Sequence, residues 1–197
     1  MQADSGRAEA ERASSALDEV VRRLCASSAT TVLIDGRSGS GKSTLATQLC
    51  LRWADSEVVR LDDIYPGWAG VPWAVGHVQA SLLEPRSEGR AGRWRSWDWT
   101  NQRPGVWYAV EPGRRLLVEG VGTLTSSSRL LADLAIWVHA DDADRKRRAL
   151  RRDGDGYELH WDRWAAQEEE FIDTFDPRQS ADLIATPLEG GFTFAAP

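Results

Sequence analysis

The segment 30–46 carries residue types at the spacing needed to bind a phosphate group. Gly36, Gly41, Lys42 and Ser43 match the phosphate-binding loop pattern G-x-x-x-x-G-K-[ST] at every fixed position. Glycines let the backbone wrap a phosphate with its N–H groups pointing inward, and a helix starting near Lys42 adds the positive end of its dipole. Lys42 supplies a mobile positive charge for the β- and γ-phosphates, and Ser43 supplies a hydroxyl ligand for Mg²⁺.

A glycine-rich turn can also occur without any ligand. Here a β-branched strand precedes the loop and a helical pattern follows it, which favours a nucleotide-phosphate site for ATP and Mg²⁺. The predicted nucleotide contacts are Gly36, Ser38, Gly39, Ser40, Gly41, Lys42, Ser43 and Thr44.

Carboxylates follow two other predicted strands. Asp62 and Asp63 come directly after the strand 58–61, and Glu119 lies near the end of the stretch 115–122. Because ligands of parallel α/β sheets bind beyond the carboxyl ends of the strands, Asp62 is predicted to accept a proton from a substrate hydroxyl. Glu119 is predicted to contact the substrate or the metal's water shell. An Asp at such a position can instead cap a turn, and this second interpretation weighs more for Asp63.

Arginines are concentrated on the helix predicted from Asp141, which ends in a glycine-rich turn. Arg148 and Arg152 are four residues apart on one face, as expected for a lid (about 145–160) that closes over the nucleotide and neutralises transition-state charge. A solvated basic face is the alternative, and it is the favoured interpretation for Arg145 and Arg147.

The segment of about 67–115 is predicted to be an insertion rich in tryptophan and arginine. Stacking and bidentate hydrogen bonds there would suit a planar or anionic small molecule, whereas a surface hairpin with solvated arginines is an equally good interpretation. The predicted substrate contacts are Asp62, Tyr65, Trp97, Asp98, Gln102, Arg103 and Glu119.

Composition limits the class of protein. The 197 residues predict a single domain, 1–197, and the net charge of −6 argues against general nucleic-acid binding. Apolar runs long enough to span a bilayer are missing from the sequence, and the N-terminus does not resemble a targeting peptide, so no membrane partner is expected. Cys25 and Cys50 fall in apolar helical patterns and are interpreted as reduced core thiols of a cytoplasmic protein.

Strands alternate with helices along the chain, which predicts right-handed β–α–β units and a parallel sheet. The predicted fold is therefore α/β: a three-layer α/β/α P-loop NTPase with a parallel sheet of about five strands, an insertion and a helical lid. A leading helix is predicted over 8–26.

Over residues 30–185, the chain resembles the uridine kinase, phosphoribulokinase and bacterial pantothenate kinase group of P-loop kinases. The segment 35–43 is similar to that group's opening motif, and Asp62-Asp63-Ile64-Tyr65 resembles its D-x-F-Y. The resemblance implies that Asp62 is the catalytic base. Val118-Glu119-Gly120 is similar to the group's apolar-E-G segment, which implies a role for Glu119 at the metal and substrate site.

Two more segments carry the resemblance. The lid helix is matched by Arg148, Arg151, Arg152 and Asp153. Trp97-Asp98-Trp99 resembles the Y-D-F step of uridine kinases, although the spacing that reaches a base-binding histidine there reaches Gln102 here.

The predicted function is an ATP-dependent phosphotransferase acting on a hydroxyl of a small, nucleoside-like molecule, in a monomer or homodimer. A nucleoside monophosphate kinase would instead use Arg90, Arg93, Arg95 and Arg103 to bind a substrate phosphate. A regulatory ATP-binding protein is the third alternative. A GTPase is disfavoured because Asn101, the single asparagine, is not in an N-K-x-D motif.

Overall fold

The structure, a computed structural model, describes the backbone of residues 2–197 and the side chains of residues 10–152, 154 and 157–197. The helices are α1 (Gln2–Ala26), α2 (Lys42–Arg52), α3 (Val71–Val78), α4 (Glu84–Ser87), α5 (Ser126–Arg129), α6 (Asp142–Asp153), α7 (Asp155–Glu158) and α8 (Trp161–Phe175). The strands are β1 (Thr31–Asp35), β2 (Ser56–Arg60), β3 (Gly92–Asp98), β4 (Arg103–Val110), β5 (Arg115–Glu119), β6 (Leu134–Val138), β7 (Leu183–Leu188) and β8 (Gly191–Ala195).

The main sheet has the strand order β2-β5-β1-β6-β7-β8. Its first five strands are parallel, and β8 runs antiparallel to β7. The predicted α/β fold with a parallel sheet of about five strands is confirmed. The sixth strand was not predicted, because the tail after residue 188 carries little sequence signal beyond Phe192 and Phe194, which alternate with Thr193.

Alternate residues of the strands point to opposite faces of the sheet, and each face has its own core. Leu33, Val118 and Ala135 pack in one core with residues of α3 and α8. Val32 and Ile34 pack in the other core with apolar residues of α1 and α2. The sheet is therefore covered on both sides, which is the three-layer arrangement expected of parallel strands.

The segment between β2 and β5 is folded as helices and a ribbon. It contains a 3-10 turn (Gly67–Ala69), α3, a π-helical turn (Gln79–Leu83), α4 and the antiparallel pair β3–β4. The 3-10 turn packs against α8, and β3 packs against the turn Leu61–Asp63 beside the carboxyl edge of the sheet. The helix α4 lies toward the opposite edge, where Arg86 donates to the carbonyl oxygens of Thr30 and Arg114.

The cysteines are both free thiols, but Cys25 is exposed and Cys50 is half-buried. The prediction of two core thiols is wrong for Cys25, because it lies on the solvent side of α1. None of the helices in the described part of the chain has both the length and the apolar character needed to cross a bilayer.

Candidate functional site

The phosphate loop connects β1 to α2 at the carboxyl edge of the sheet. Gly41 caps α2 with φ 108°, a left-handed conformation that favours glycine. Lys42 is the first residue of α2 and is 8% exposed. Its Nζ donates a hydrogen bond to the carbonyl oxygen of Arg37 at 3.1 Å, so the ammonium group lies along the loop.

The first turn of α6 packs directly against this loop. A Cβ at Gly39 would lie 2.0 Å from the carbonyl oxygen of Arg145, so a side chain at position 39 would displace one of the two backbones. Arg145 is only 5% exposed, and its Nε donates to Asp142 Oδ1 at 2.6 Å. The prediction that Arg145 lies on a solvated face is wrong, because its side chain is covered between the loop and α8.

Asp62 and Glu119 line one cavity together with Lys42 and Ser43. Asp62 is an exposed residue of the 3-10 turn Leu61–Asp63, directly after β2, and its carbonyl oxygen accepts a hydrogen bond from Trp99 Nε1 at 2.9 Å. Glu119 is the last residue of β5 and is 2% exposed. Burial raises its pKa above the ordinary value, and the nearby positive charge of Lys42 partly opposes that rise.

Asp35 is a fully buried carboxylate at the end of β1. Its Oδ1 accepts a hydrogen bond from the Gly36 N–H at 2.6 Å, and its Oδ2 accepts from the Gly122 and Leu124 N–H groups at 3.1 and 2.8 Å. Burial raises the pKa of Asp35 to about 7, although these three donors oppose the shift. Asp35 thereby joins the start of the phosphate loop to the loop after β5.

The far end of the cavity is aromatic, and the cavity as a whole has a volume of about 490 Å³. Trp68 is its central ring, stacked on His160 at 4.4 Å and tilted against Trp99 at 5.1 Å between ring centroids. The aromatic lining consists of Tyr65, Trp68, Trp99, Tyr157, His160 and Trp164. Tyr65 is fixed there because its hydroxyl donates to the carbonyl oxygen of Val121 at 2.7 Å, and burial raises its pKa well above the ordinary value.

Two further clefts continue on the other side of the phosphate loop. The first, of about 140 Å³, is lined by Gly39, Gly41, Lys42, Ser43, Thr44, Arg148, Ala149 and Arg152. The second, of about 530 Å³, is lined by Gly41, Thr44, Gln48, Arg148 and residues 187–192 of the β7–β8 hairpin. Neighbouring clefts share loop residues, so the three form a track of adjacent clefts around the phosphate loop.

The two predicted lid arginines both reach this track from α6. Arg152 lines the aromatic cavity and the middle cleft, and Arg148 lines the middle cleft and the hairpin cleft. Arg148 also approaches Asp144 Oδ2 at 3.8 Å on its own helix. The side chain of Asp153, matched to the lid by resemblance, lies outside the described residues.

Four predicted substrate contacts do not reach the cavity. Trp97 and Asp98 lie at the end of β3, Arg103 begins β4, and Gln102 is in the turn between them. Asp98 accepts hydrogen bonds from the Asn101 N–H and Nδ2, and Gln102 donates to the carbonyl oxygen of Trp99 at 2.7 Å. Asp98 and Gln102 close the ribbon turn through these bonds, and it is Trp99 that faces the cavity.

Sequence reasoning missed the contribution of α8 and the residues before it. Tyr157, His160 and Trp164 line the cavity, and Trp164 is followed one helical turn later by the buried Glu168. The sequence carries a signal for this contribution, because an acid four residues after a tryptophan lies on the same apolar helix face. A carboxylate buried there needs polar partners, which indicates a contact with another polar part of the protein. Trp68, in contrast, gives no signal that separates it from a core tryptophan.

Ser43 and Glu119 are the predicted magnesium ligands, and their arrangement fits that ion. Glu119 Oε1 is buried without a hydrogen-bond partner among the described residues, and Arg60 Nε approaches it only to 3.6 Å. The Ser43 hydroxyl lies against the same carboxyl group. Mg²⁺ is commonly held by one or two protein oxygens plus substrate phosphates. Within the described side chains there is no group of three or more His, Cys, Asp or Glu residues that could hold a metal by itself.

Comparison with solved structures finds proteins to which this chain is similar. A possible uridine kinase from Bacillus stearothermophilus superposes with a TM-score of 0.63 at 18% identity, covering 86% of this chain and 97% of its own. A protein provisionally named as a fructose transport system kinase, from Silicibacter sp. TM1040, matches with a TM-score of 0.46 at 20% identity, covering 74% and 85%.

No protein-family model matches the sequence, and a search of curated proteins finds no match. At 18% identity the likeness to the possible uridine kinase is a likeness of fold. The chain has a P-loop kinase-like fold, as the resemblance in its motifs predicts.

Proposed function

We propose that this chain is a kinase that transfers the γ-phosphate of ATP to a hydroxyl group of a small molecule. The observation that carries the proposal is the track of three adjacent clefts with the phosphate loop at its middle. One end of the track is a hairpin cleft beside Arg148, the middle is lined by loop residues, and the other end combines carboxylates with aromatic rings. A donor nucleotide and an acceptor alcohol would meet at Lys42.

The donor end suits a nucleoside triphosphate. Loop N–H groups and the N-terminus of α2 would bind the β- and γ-phosphates, while the hairpin cleft, with Pro187 and Phe192 in its wall, would hold the base. Arg148 and Arg152 would add positive charge around the phosphates from α6. Ser43 and Glu119 would hold Mg²⁺, which when bound neutralises phosphate charge.

Transfer of the γ-phosphate to a hydroxyl group requires a proton acceptor next to the phosphates. In the proposed step the acceptor oxygen forms a bond to the γ-phosphorus, and the bond from that phosphorus to the β–γ bridging oxygen breaks, releasing ADP. The hydroxyl proton moves to the carboxylate of Asp62, which is exposed to the cavity and held by the Trp99 hydrogen bond to its backbone. Lys42 stabilises the charge that spreads over the transferring group.

The acceptor end favours a neutral molecule with a flat face. Its walls are aromatic, and of the arginines that the structure describes, Arg152 is the one that lines this cavity. Of the four arginines that a nucleoside monophosphate kinase would need, Arg93 does not line the cavity, and the other three are engaged elsewhere. Arg90 pairs with Glu88, Arg95 donates to the Gly105 carbonyl oxygen at 3.0 Å, and Arg103 approaches Asp98 at 3.7 Å. A nucleoside-like alcohol is therefore the proposed acceptor, ahead of a nucleoside monophosphate.

The experiment that tests the proposal is an ATP-consumption screen with Mg²⁺. The panel contains nucleosides, nucleoside monophosphates, pantothenate-like alcohols and sugars, and Lys42→Ala serves as the blank. We expect an acceptor-dependent signal with a nucleoside-like alcohol that is lost in Lys42→Ala. ATP binding without stimulation by any acceptor would instead favour a regulatory nucleotide-binding protein, and a response to monophosphates alone would favour the monophosphate kinase.

A further inference from the structure

Glu168 of α8 is a buried carboxylate in contact with the phosphate loop. Its side chain is 1% exposed. Oε1 accepts a hydrogen bond from the Ser38 N–H at 2.7 Å, and Oε2 accepts from Arg37 Nε at 3.2 Å. Arg145 Nη1 lies 3.6 Å from Oε2. The loop residues Arg37 and Ser38 are thus bound by a carboxylate 130 residues away in sequence.

A carboxylate in this position has a specific effect on the loop. Burying a charge costs several kcal/mol unless it is paired and hydrogen-bonded, so Glu168 keeps its place only while the Ser38 N–H and the two guanidinium groups surround it. The same contacts fix the orientation of the peptide group between Arg37 and Ser38. The Arg37 carbonyl oxygen in that group is the atom to which Lys42 Nζ donates.

Trp164 connects this carboxylate to the aromatic cavity. Its Nε1 donates to Ser38 Oγ at 2.9 Å and to Glu168 Oε1 at 3.1 Å. The same indole ring lines the cavity, edge-on to Tyr65 with ring centroids 4.8 Å apart. One side chain therefore forms part of the cavity wall and also binds the phosphate loop.

We propose that Glu168 and Trp164 are positioning residues that hold the phosphate loop in its anion-binding conformation. They act through the Ser38 backbone and hydroxyl, and through Arg37, whose carbonyl oxygen orients Lys42. The effect on nucleotide affinity rests on the proposed function, whereas the effect on the loop itself does not. Neither residue needs to touch the nucleotide.

The experiment compares Trp164→Phe and Glu168→Gln with Trp161→Phe. The first removes the indole N–H but keeps an aromatic ring, and the second keeps an oxygen for Ser38 but loses the charge that pairs with Arg37. Trp161 is a matched control, because it is buried on the same helix and packs on Tyr157 and under Arg145, without a described bond to the loop.

Two readouts are measured, namely amide hydrogen exchange of residues 36–44 in the ligand-free protein and the Kd for MgATP. We expect both test variants to exchange these amides about tenfold faster and to bind MgATP about tenfold more weakly, as for loss of a hydrogen bond to a charged group. Trp161→Phe should match the wild-type protein in both, even where its melting temperature is lower.

The outcomes separate the two proposals. Unchanged exchange in Trp164→Phe, or an equal rise in Trp161→Phe, would overturn the positioning role, since the effect would then be general loss of stability. Faster exchange with unchanged MgATP affinity would overturn it too. If the wild-type protein binds no MgATP, the proposed kinase function fails, and the exchange data still decide whether the pair positions the loop. If Glu168→Gln does not fold, Trp164→Phe carries the test.

Discussion

The two carboxylates of the cavity lie in different surroundings. Asp62 is exposed on a 3-10 turn, and its position depends on the Trp99 hydrogen bond to its backbone carbonyl. Glu119 is buried at the end of β5 beside Ser43 and Lys42. A solvent-accessible carboxylate can exchange a proton with a substrate. A buried carboxylate beside a hydroxyl, with one oxygen that lacks a hydrogen-bond partner among the described residues, is better suited to binding a cation.

The proposed role of Asp62 predicts a large kinetic effect from a small change. Asp62→Asn removes the proton acceptor but keeps the side-chain volume, so kcat should fall by about 10²–10⁴ while MgATP affinity changes little. Steady-state kinetics with the acceptor found by the screen measure this. Asp63→Asn, one residue along the same turn, is the control and should keep most of the activity. Nearly unchanged turnover in Asp62→Asn would show that Asp62 is not the catalytic base.

The raised pKa of Asp35 predicts that the free energy of unfolding depends on pH. Its pKa is raised from 3.8 to about 7 by burial, so between about pH 4 and 7 the folded protein keeps a proton that the unfolded chain has released. The contribution of Asp35 to the free energy of unfolding therefore falls as pH rises through this window, by about 4 kcal/mol in total, and is constant above it.

Asp35→Asn removes this titration. Denaturant unfolding of both proteins at several pH values gives the difference curve, in which the wild type should lose stability relative to the variant between pH 4 and 7. Parallel curves would mean that Asp35 is ionised throughout this range.

At the scale of elements, the phosphate loop is shaped by the helices packed against it as well as by its own glycines. The first turn of α6 approaches Gly39 so closely that a Cβ has no room, and α8 binds the loop through Glu168. The helix that carries Arg148 and Arg152 is therefore held next to the loop by a contact between the two backbones. A change in this contact would move the arginines and the loop together.

Gly39→Ala tests this contact. The new Cβ would overlap the Arg145 carbonyl, and φ at Gly39 is +77°, so the free energy of unfolding should fall by about 3 kcal/mol or more and MgATP binding should weaken. Gly113→Ala is the matched control, with φ +82° but nothing within 4 Å of the added Cβ, and should cost about 1 kcal/mol. Equal losses in urea denaturation would show that the close approach has no energetic consequence.

The ribbon β3–β4 contributes to the site through its end. Trp99 follows β3 directly, lines the cavity and donates to the Asp62 carbonyl, whereas Asp98 helps to close the turn and Trp97 does not line the cavity. In a strand, neighbouring side chains point to opposite faces, so the segment cannot present all of its aromatic and acidic groups to one cavity. This is why the ribbon supplies one lining residue rather than the predicted set.

At the scale of the whole molecule, every part of the proposed track lies at one edge of the sheet. The phosphate loop follows β1, the Asp62 turn follows β2, and Glu119 ends β5. These three neighbouring strands are parallel, so the loop and both carboxylates lie at the same carboxyl edge of the sheet. The β7–β8 hairpin and α6 lie on the proposed donor side, while α8 and the 3-10 turn at Gly67–Ala69 lie on the proposed acceptor side.

Such a site predicts that MgATP stabilises the whole chain. At a concentration of 100 times Kd, a ligand that binds the folded state raises the free energy of unfolding by about 2.7 kcal/mol. For a chain of this length that corresponds to a rise in melting temperature of about 5–10 °C. Thermal unfolding with and without MgATP measures it.

Lys42→Ala is the control for this rise. The variant should remain folded and show little or no shift, and removal of Mg²⁺ with a chelator should reduce the shift of the wild type. An equal shift in Lys42→Ala would indicate that the stabilising nucleotide binds away from the phosphate loop.

The sequence by itself determined the parts of this protein that depend on neighbouring residues. The pattern from Gly36 to Ser43 specifies a strand, a loop and a helix, and the alternation of apolar strands and helices predicts the parallel sheet that the structure confirms. Asp62 and Glu119 could be assigned to one edge because carboxyl ends of parallel strands always meet there.

Only the tertiary structure decided which of the ten tryptophans line the cavity and what supports the loop. Ser38 meets Trp164 across 126 residues and Glu168 across 130, and no local periodicity encodes such a pairing. The antiparallel strand β8 likewise depends on its partner β7 and on α1, against which it packs. Short-range sequence patterns determine the helices and strands. The residues that line the cavity and hold the phosphate loop are determined where distant helices and strands pack together, since packing distinguishes side chains that look equivalent in sequence.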